Sequence, residues 1–283
     1  MTRGTKTTII CSAADSASMN IKEKLLALHD WERVGSVYES ERFRIVEVAK
    51  LHIFCDHIDS ELEKRGLPTD LIIFASKHKS DSSGRFFSAH FTGNVGDARF
   101  GGNPRELAPA APQLLKPFLH SMRSLSADMA STSDYEVAME STHHGPTALT
   151  VPSIYIEIGS APAEWVDPDA GRVVASAILE LELRPQKTDF AVAVGFGGGH
   201  YAHRQTKLIF ETEVTFGHNF PKYQLNALDE PLIRDAMVKS NADFAYFDRK
   251  SMNAAQRDRI RAAIEAAGYE VLRERTIRER FCG

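Results

Sequence analysis

Short apolar runs of strand length alternate along the chain with stretches whose apolar positions recur every three to four residues. Thr7 to Cys11 (TTIIC) predicts a first strand. Ser16 to Leu28 follows as a helix, with Ile21, Leu25 and Leu28 on one side at i, i+4 and i+7. Arg44 to Val48 and Leu71 to Ala75 (LIIFA) read as further strands, and Pro68 and Asp70 punctuate the entry to the second. Ala110 to Met129 carries a helical stripe of Leu114, Leu115, Phe118, Leu119, Met122 and Leu125, with Pro117 placed to kink it. Tyr135 to Met139 and Ser153 to Ile158 are strands, and Asp169 to Leu183 is a helix on Val173, Ala177 and Leu181. Phe190 to Phe196 (FAVAVGF), Thr212 to Phe216 and Phe244 to Phe247 complete the apolar runs. The helix from Asn253 to Ala267 stops at Gly268, a suitable residue just past a helix end, and Tyr269 to Arg273 closes as a strand.

Strands alternating with helices predict an α/β fold, with a largely parallel mixed sheet covered by helices on both faces. Residues 77–108 break the rhythm with KHKSDSSGR and GNVGDARFGGNPREL. A loop this long in a compact domain is functional or mobile. No repeat or low-complexity linker divides the chain. The expectation is one domain over 1–283 with a loop-rich insertion near 77–108.

Composition narrows the class. Hydrophobic residues make up 43% of 283, enough for a full core, so general disorder is excluded. No apolar run approaches the ~18 residues that span a bilayer. The basic start lacks an apolar segment behind it, so no signal peptide is expected. Cys11, Cys55 and Cys282 are too few and too scattered for a disulfide framework, and no CxxC pair exists for zinc. A reducing cytoplasm fits. The formal charge of −4 argues against binding nucleic acid through bulk charge. Charge is uneven, however: Arg249 to Gly283 holds nine Lys/Arg against five Asp/Glu. That stretch is a local surface for a polyanion or simply a solvated helix face.

Candidate chemistry gathers around histidine. Four predicted strands run straight into His-bearing segments: Lys77-His78-Lys79-Ser80, His143-His144-Gly145-Pro146, Gly197-Gly198-Gly199-His200 and His218-Asn219-Phe220-Pro221-Lys222. Ligands bind beyond the carboxyl ends of parallel strands, so strands sharing one sheet would bring all four segments to one edge. Each histidine has a plainer reading as a loop residue bonded to backbone. Adjacent side chains in extended backbone point to opposite faces, so His143 and His144 reach one metal only if the chain turns, which Gly145-Pro146 permits. His143 or His144 with His200 or His218 makes a candidate metal set, Glu140 or Glu157 adding a carboxylate. Those long separations do not by themselves select zinc. Gly197, Gly198 and Gly199 let backbone amides approach a phosphate or oxyanion, or serve close helix–strand packing. The run is neither GxGxxG nor a Walker A loop, and no GxSxG elbow supports a serine nucleophile. Lys77, Lys79, Arg204, Lys207 and Lys222 flank these loops and suit an anionic ligand.

Three of these motifs carry a family resemblance. STHHGP at 141–146, GFGGGHYA at 195–202 and FGHNFPKY at 216–223 resemble the archaeal and plant type of D-aminoacyl-tRNA deacylase, and ASKHKS at 75–80 supports the match. The likeness runs from about Thr8 to Arg273. One position departs: His203 stands where the family usually carries proline. The resemblance implies a fold related to peptidyl-tRNA hydrolase and nucleoside phosphorylases. It implies hydrolysis of the ester joining a D-amino acid to tRNA, chiral proofreading in translation, and zinc dependence. It carries Lys77, His78, Lys79, His143, His144, Gly197 to Tyr201, His218, Pro221, Lys222 and Tyr223 as motif positions.

An aminoacyl ester is already activated, so a positioned water suffices. His144, His200 and His218 are the candidates to activate it, and with His143 to hold zinc; His144 is preferred to His143 as nearer the turn. Gly197 to Gly199 are the candidate oxyanion or phosphate site. Lys77, Lys79, Arg204, Lys207 and Lys222 would hold tRNA phosphates. The expected partner is D-aminoacyl-tRNA, with no membrane, no DNA, and a monomer favoured. Two other readings stand beside it: a zinc amidohydrolase or nucleoside phosphorylase-like enzyme on a small molecule, and a non-catalytic tRNA-binding protein.

Overall fold

The computed structural model describes residues 5–80, 84–183 and 189–282. β1 (Lys6–Ser12) leads into α1 (Ser16–Leu28), whose first turn is capped by the Asp15 side chain accepting from the Ser18 amide. A short hairpin of β2 (Glu32–Val34) and β3 (Val37–Glu39) precedes β4 (Phe43–Val48), α2 (Ile58–Lys64) and β5 (Thr69–Lys77). Then come β6 (Phe86–His90), α3 (Pro112–Ala127), β7 (Glu136–Met139), β8 (Ser153–Gly159), α4 (Pro162–Trp165), α5 (Pro168–Leu183) and β9 (Ala191–Phe196). The last third runs α6 (His203–Glu211), β10 (Val214–Phe220), α7 (Glu230–Lys239), β11 (Phe244–Phe247), α8 (Ala254–Ala266), β12 (Val271–Leu272) and α9 (Glu274–Arg280).

The strands form two sheets rather than one. The larger has eight strands in the order β2-β3-β4-β1-β5-β8-β6-β7. Its centre, β4-β1-β5-β8, is parallel, β6 runs antiparallel to β8, and β7 returns parallel to β6. The smaller, β10-β9-β11-β12, is parallel throughout. The fold class is therefore the expected one, α/β and largely parallel.

Strand alternation sends successive side chains to opposite faces and so builds three cores. Ile9, Ile45 and Ile73 of the large sheet pack with α1, α3 and α5, and with Ala193, Phe216 and Phe244 of the small one. Val192, Val194 and Phe196, on the other face of β9, pack on Leu232 and Ile233 of α7 and Ile260 and Ile264 of α8. Ile10, Val46 and Phe74 pack on Ile58 and Leu62 of α2. Each fully buried side chain of this size contributes about 1.5–3 kcal/mol.

Two elements depart from the sequence reading in ways that matter to the site. β6 lies inside the segment read as a loop-rich insertion and is buried throughout, between β8 and β7. Five residues in turn-rich surroundings are too short a run to stand out; residues 81–83 of that segment lie outside the described residues. β10 continues to Phe220, past the expected end at Phe216. Gly217, His218 and Asn219 interrupt its apolar pattern without interrupting the strand.

The two sheets are knitted where β7 ends. The Ala202 amide donates to the Met139 carbonyl (2.9 Å), the Ser141 amide to His200 (2.8 Å) and the Thr142 amide to Asn219 (2.8 Å). Glu140 and Tyr201 form an antiparallel bridge between them. The carboxyl ends of the two sheets thereby face a common space.

Candidate active site

That space is a cavity of ≈ 1340 Å³. Lys77, His78 and Lys79 reach it from the end of β5, His143 and His144 from the loop after β7, and Gly199 and His200 from the loop after β9. Glu157 enters the wall from β8. Both adjacent histidines face the cavity because His144 adopts a left-handed conformation, φ 44°, which breaks the extended alternation. Gly145 is required there by close packing: a Cβ would lie 2.3 Å from the Gly102 nitrogen.

One buried carboxylate is the hub. Glu140 is fully buried, and its Oε2 lies 2.9 Å from His200 Nε2, 3.1 Å from His78 Nδ1 and 3.7 Å from His143 Nε2. One ligand-type atom from each of these four residues lies within 4.8 Å of all the others. The neighbouring His90 and Glu157 (Nε2 to Oε2, 3.4 Å) extend the group in overlapping sets with Glu140, His143 and His144.

The electrostatics follow from crowding. Burial would raise the Glu140 carboxyl, but His78, His200 and His90 hold it well below the usual carboxylate range. Burial likewise opposes His78 and His90 at Glu157, which ends at about 2. Burial lowers the His78 ring, yet Glu140 and then Glu157 carry it up to about 10. Loss of solvent, then the neighbouring His144 and His90, hold His143 well below the imidazole range. The same loss and His90 bring His144 to about 4.

This donor set fits a metal ion. Both Glu140 oxygens and His200 Nε2 are buried without a hydrogen-bond partner, although the His200 ring nitrogen is 2.9 Å from the carboxylate. They are close but not aligned as donor and acceptor. An ionised carboxylate buried without hydrogen bonds is costly unless paired or coordinated. Donors around a tetrahedral zinc with ~2.0–2.1 Å bonds stand about 3.3 Å apart, which the three Glu140 distances bracket. His143 Nδ1 donates to the Ser141 carbonyl (2.8 Å), fixing its tautomer and leaving Nε2 as the lone-pair nitrogen, the usual arrangement for a ligating histidine.

The structure sorts the residues singled out from sequence. His143, His144 and His200 come together. His218 does not: it lies within β10, its Nδ1 accepts from the Thr142 hydroxyl (3.0 Å) and its Nε2 donates to the Ala108 carbonyl (3.0 Å). Both ring nitrogens are spent, so the expected catalytic or ligand role gives way to a core role. The amides of Gly197 and Gly198 are also spent, on the Phe220 carbonyl (2.8 Å) and Ser251 Oγ (2.7 Å). Only Gly199 of that run lines the cavity. Lys77 and Lys79 line it too, with Lys77 Nζ 5.0 Å from the centre of the Trp165 ring. Arg204 instead pairs with Asp248 (3.3 Å), and Lys207 with Glu211 (4.0 Å), both outside the cavity wall. Lys222 is exposed beside the cavity residue Tyr223.

Sequence reasoning assigned no role to His90 or His52 and named Glu140 only as an alternative. His90 meets Glu157 through the β6–β8 pairing, where Ser88 stands opposite Glu157. His52 lines the cavity with Nε2 on the Ile10 carbonyl (3.1 Å). No spacing in the chain announces either contact. The signal for Glu140 is local: it immediately precedes the Ser-Thr-His-His run.

Comparison with known proteins places this geometry. A family model described as D-aminoacyl-tRNA deacylase matches residues 65–272. A D-aminoacyl-tRNA deacylase of Methanosarcina acetivorans is 50% identical, over 98% of this chain and 95% of its own. One of Archaeoglobus fulgidus is 40% identical, over 96% and 98%. A crystal structure described as a conserved protein of unknown function, AF0625, superposes with a TM-score of 0.92 at 40% identity, covering 99% of both chains.

Proposed function

The chain belongs to the D-aminoacyl-tRNA deacylase family, and from that premise we propose how its residues perform the ester hydrolysis that releases a D-amino acid from tRNA. The observation that carries the reading is Glu140, a buried, unbonded carboxylate ringed by three histidines, His78, His143 and His200, that line the ≈ 1340 Å³ cavity. We assign His78, Glu140, His143 and His200 to hold a zinc ion. When bound, zinc supplies Lewis-acid polarisation and acidifies water to a pKa of about 7.

The remaining work falls to side chains and backbone. His144 donates through Nδ1 to the Gly145 carbonyl (2.7 Å), so Nε2 is its accepting nitrogen. Held neutral, it orients the attacking water by accepting a hydrogen bond. Gly199, the one glycine of its run that lines the cavity, supplies the amide that donates to the oxyanion developing on the ester carbonyl. Lys77 and Lys79 bind the phosphates nearest the scissile ester. Phe100 and Tyr223, 67% and 62% exposed at the cavity, offer aromatic faces on which an unpaired terminal base stacks.

Among the described residues no helix is long and apolar enough to cross a membrane. Three free thiols and a tRNA substrate support a cytoplasmic location. The test is single-turnover release from D- and L-aminoacyl-tRNA, before and after chelation and with zinc restored. Preferential D release that falls on chelation and returns with zinc is expected. Release that is indifferent to chelation, with no zinc bound, overturns the metal assignment.

A further inference from the structure

A second cleft of ≈ 200 Å³ lies beyond the carboxyl ends of β11 and β12, and its wall is dominated by cations: Arg204, Arg249, Lys250, Arg261 and Arg273. The structure sorts the basic C-terminal stretch into two groups. Arg275, Arg278 and Arg280 are consumed by Glu279, Glu274 and Glu270, and Arg257 and Arg259 donate to backbone carbonyls. Arg249, Lys250 and Arg273 are exposed and have no acidic partner among the described residues. The two acids in the same wall do not neutralise them. Asp248 and Glu274 both face Arg204, at 3.3 and 3.8 Å, and Glu274 also holds Arg278.

The cleft adjoins the candidate active site through one turn. Ser251 Oγ accepts from the Gly198 amide (2.7 Å) and donates to the Asp248 carbonyl (2.9 Å), which ties the 249–251 segment to the glycine run. On the other side of that run Gly199 and His200 line the large cavity. His203 faces the first cavity and its chain neighbour Arg204 the second. A substrate with its reactive end in the first cavity and a polyphosphate backbone behind it meets cations at the second.

We propose that Arg249, Lys250 and Arg273 form a second anchoring site for the tRNA substrate, holding backbone phosphates of its stem while the aminoacyl end occupies the large cavity. This rests on the deacylase reading of the large cavity and adds the path of the tRNA away from it. The contacts are to phosphates, so they set position and affinity and read no base. Each neutralised phosphate contributes a salt-dependence slope of about 0.9, and loss of three weakens binding on the order of 10²-fold at ~0.1 M salt.

The test measures binding of uncharged tRNA across a salt series for the intact chain and for R249A/K250A/R273A. Uncharged tRNA makes the result independent of hydrolysis, so a failure of the deacylase reading is seen separately, as absent ester release by the unmodified enzyme. The expected result is a slope smaller by two to three and the corresponding loss of affinity. R249K/R273K, which keeps both point charges, restores the slope and controls for folding. R275A/R280A removes two paired arginines outside the cleft and leaves the slope in place. An unchanged slope in the triple variant overturns the proposal. So does an equal loss per charge in R275A/R280A, since that traces binding to net charge alone.

Discussion

His200→Ala and His218→Ala are expected to fail in opposite ways. His218 is 0% exposed and spends both ring nitrogens inside the protein. Its truncation leaves the Ala108 carbonyl and the Thr142 hydroxyl short of a partner, at roughly 1–3 kcal/mol each. It also vacates a ring-sized space, and large-to-small core changes cost ~2–5 kcal/mol. The terms overlap as the site relaxes, so a loss of about 3–5 kcal/mol is expected. At ~2–4 °C per kcal/mol this lowers the unfolding midpoint by roughly 6–20 °C. Zinc content and single-turnover rate, measured well below that midpoint, fall only as far as the β7–β10 junction loosens, and far less than for His200→Ala. His200 has a side chain 31% exposed, and its nearest polar neighbour, Glu140 Oε2, is not hydrogen-bonded to it. Its truncation costs at most ~1 kcal/mol, in the range of partly exposed substitutions. Zinc is lost, and the rate falls by roughly 10²-fold or more. The assay pairs denaturant unfolding with bound-metal analysis and single-turnover deacylation. A His218→Ala protein that unfolds normally but loses zinc and turnover refutes the sorting, as does a His200→Ala protein that keeps both.

Burial, with Lys239 adding to it, lowers His218 to about 4, which gives a pH signature. Its folded pKa lies below the ordinary ~6.5, so the unfolded chain binds the extra proton first. The stability from keeping this ring neutral is full above pH ~6.5 and is lost as pH falls towards 4. The stability gap between the unmodified protein and His218→Gln should therefore narrow over that window, and a gap that widens contradicts the assignment. Glu140→Gln, which keeps shape and removes charge, is expected to lower zinc content and cut turnover by ~10²-fold or more while leaving uncharged-tRNA affinity unchanged. Tyr223→Ala is expected to raise KM for aminoacyl-tRNA with little change in kcat, since stacking on one base is worth ~1–3 kcal/mol; a pure kcat loss counts against a stacking platform. Gly145→Ala forces a Cβ to 2.3 Å from the Gly102 nitrogen, so both stability and zinc content should fall, and an unaltered protein would show that the His143-His144 loop repacks freely.

Much of the frame is legible in the sequence because its strands are short, apolar and β-branched. LIIFA and FAVAVGF become β5 and β9 within two residues of their expected bounds. The failures share a cause. His218 was placed in a loop because Gly217, His218 and Asn219 break the apolar pattern, yet β10 runs through them by burying polar groups against partners from distant segments. β6 was read as loop because its apolar run is five residues long in a turn-rich setting. β6 lies within the large sheet and β10 at the edge of the small one, but both are buried throughout and their stability is tertiary, and local pattern cannot register partners that are remote in the chain. The site divides along the same line. His143, His144 and His200 sit on loops after well-marked strands, where the sequence singles them out; His90, on β6, has no such signal.

The position of Glu140 explains why the site needs two sheets. Three residues either side of it, Met139, Ser141 and Thr142, give their backbone groups to the small sheet and its loops, at 2.8–2.9 Å. The segment that joins the sheets therefore also sets the carboxylate. His78 arrives from the large sheet and His200 from the small one, each bound to its own strand end. A shift of either sheet against the other would separate the two histidines while leaving each sheet intact. The geometry of Glu140 and its histidines thus depends on the junction more than on either sheet. That dependence gives a physical reason for buried polar residues there, Ser141, Thr142, Asn219 and His218, none of which belongs to the donor set, although the Ser141 carbonyl accepts from His143 Nδ1 (2.8 Å). Asn219 donates to Ser141 Oγ (2.7 Å), and Thr142 joins His218 to the Asn219 amide (3.0 and 3.1 Å). A satisfied polar network fixes one register where apolar packing alone would tolerate several. In this account the FGHNF motif acts through geometry: it holds the β7 end against β10 so that Glu140 meets His78 and His200 at contact distance.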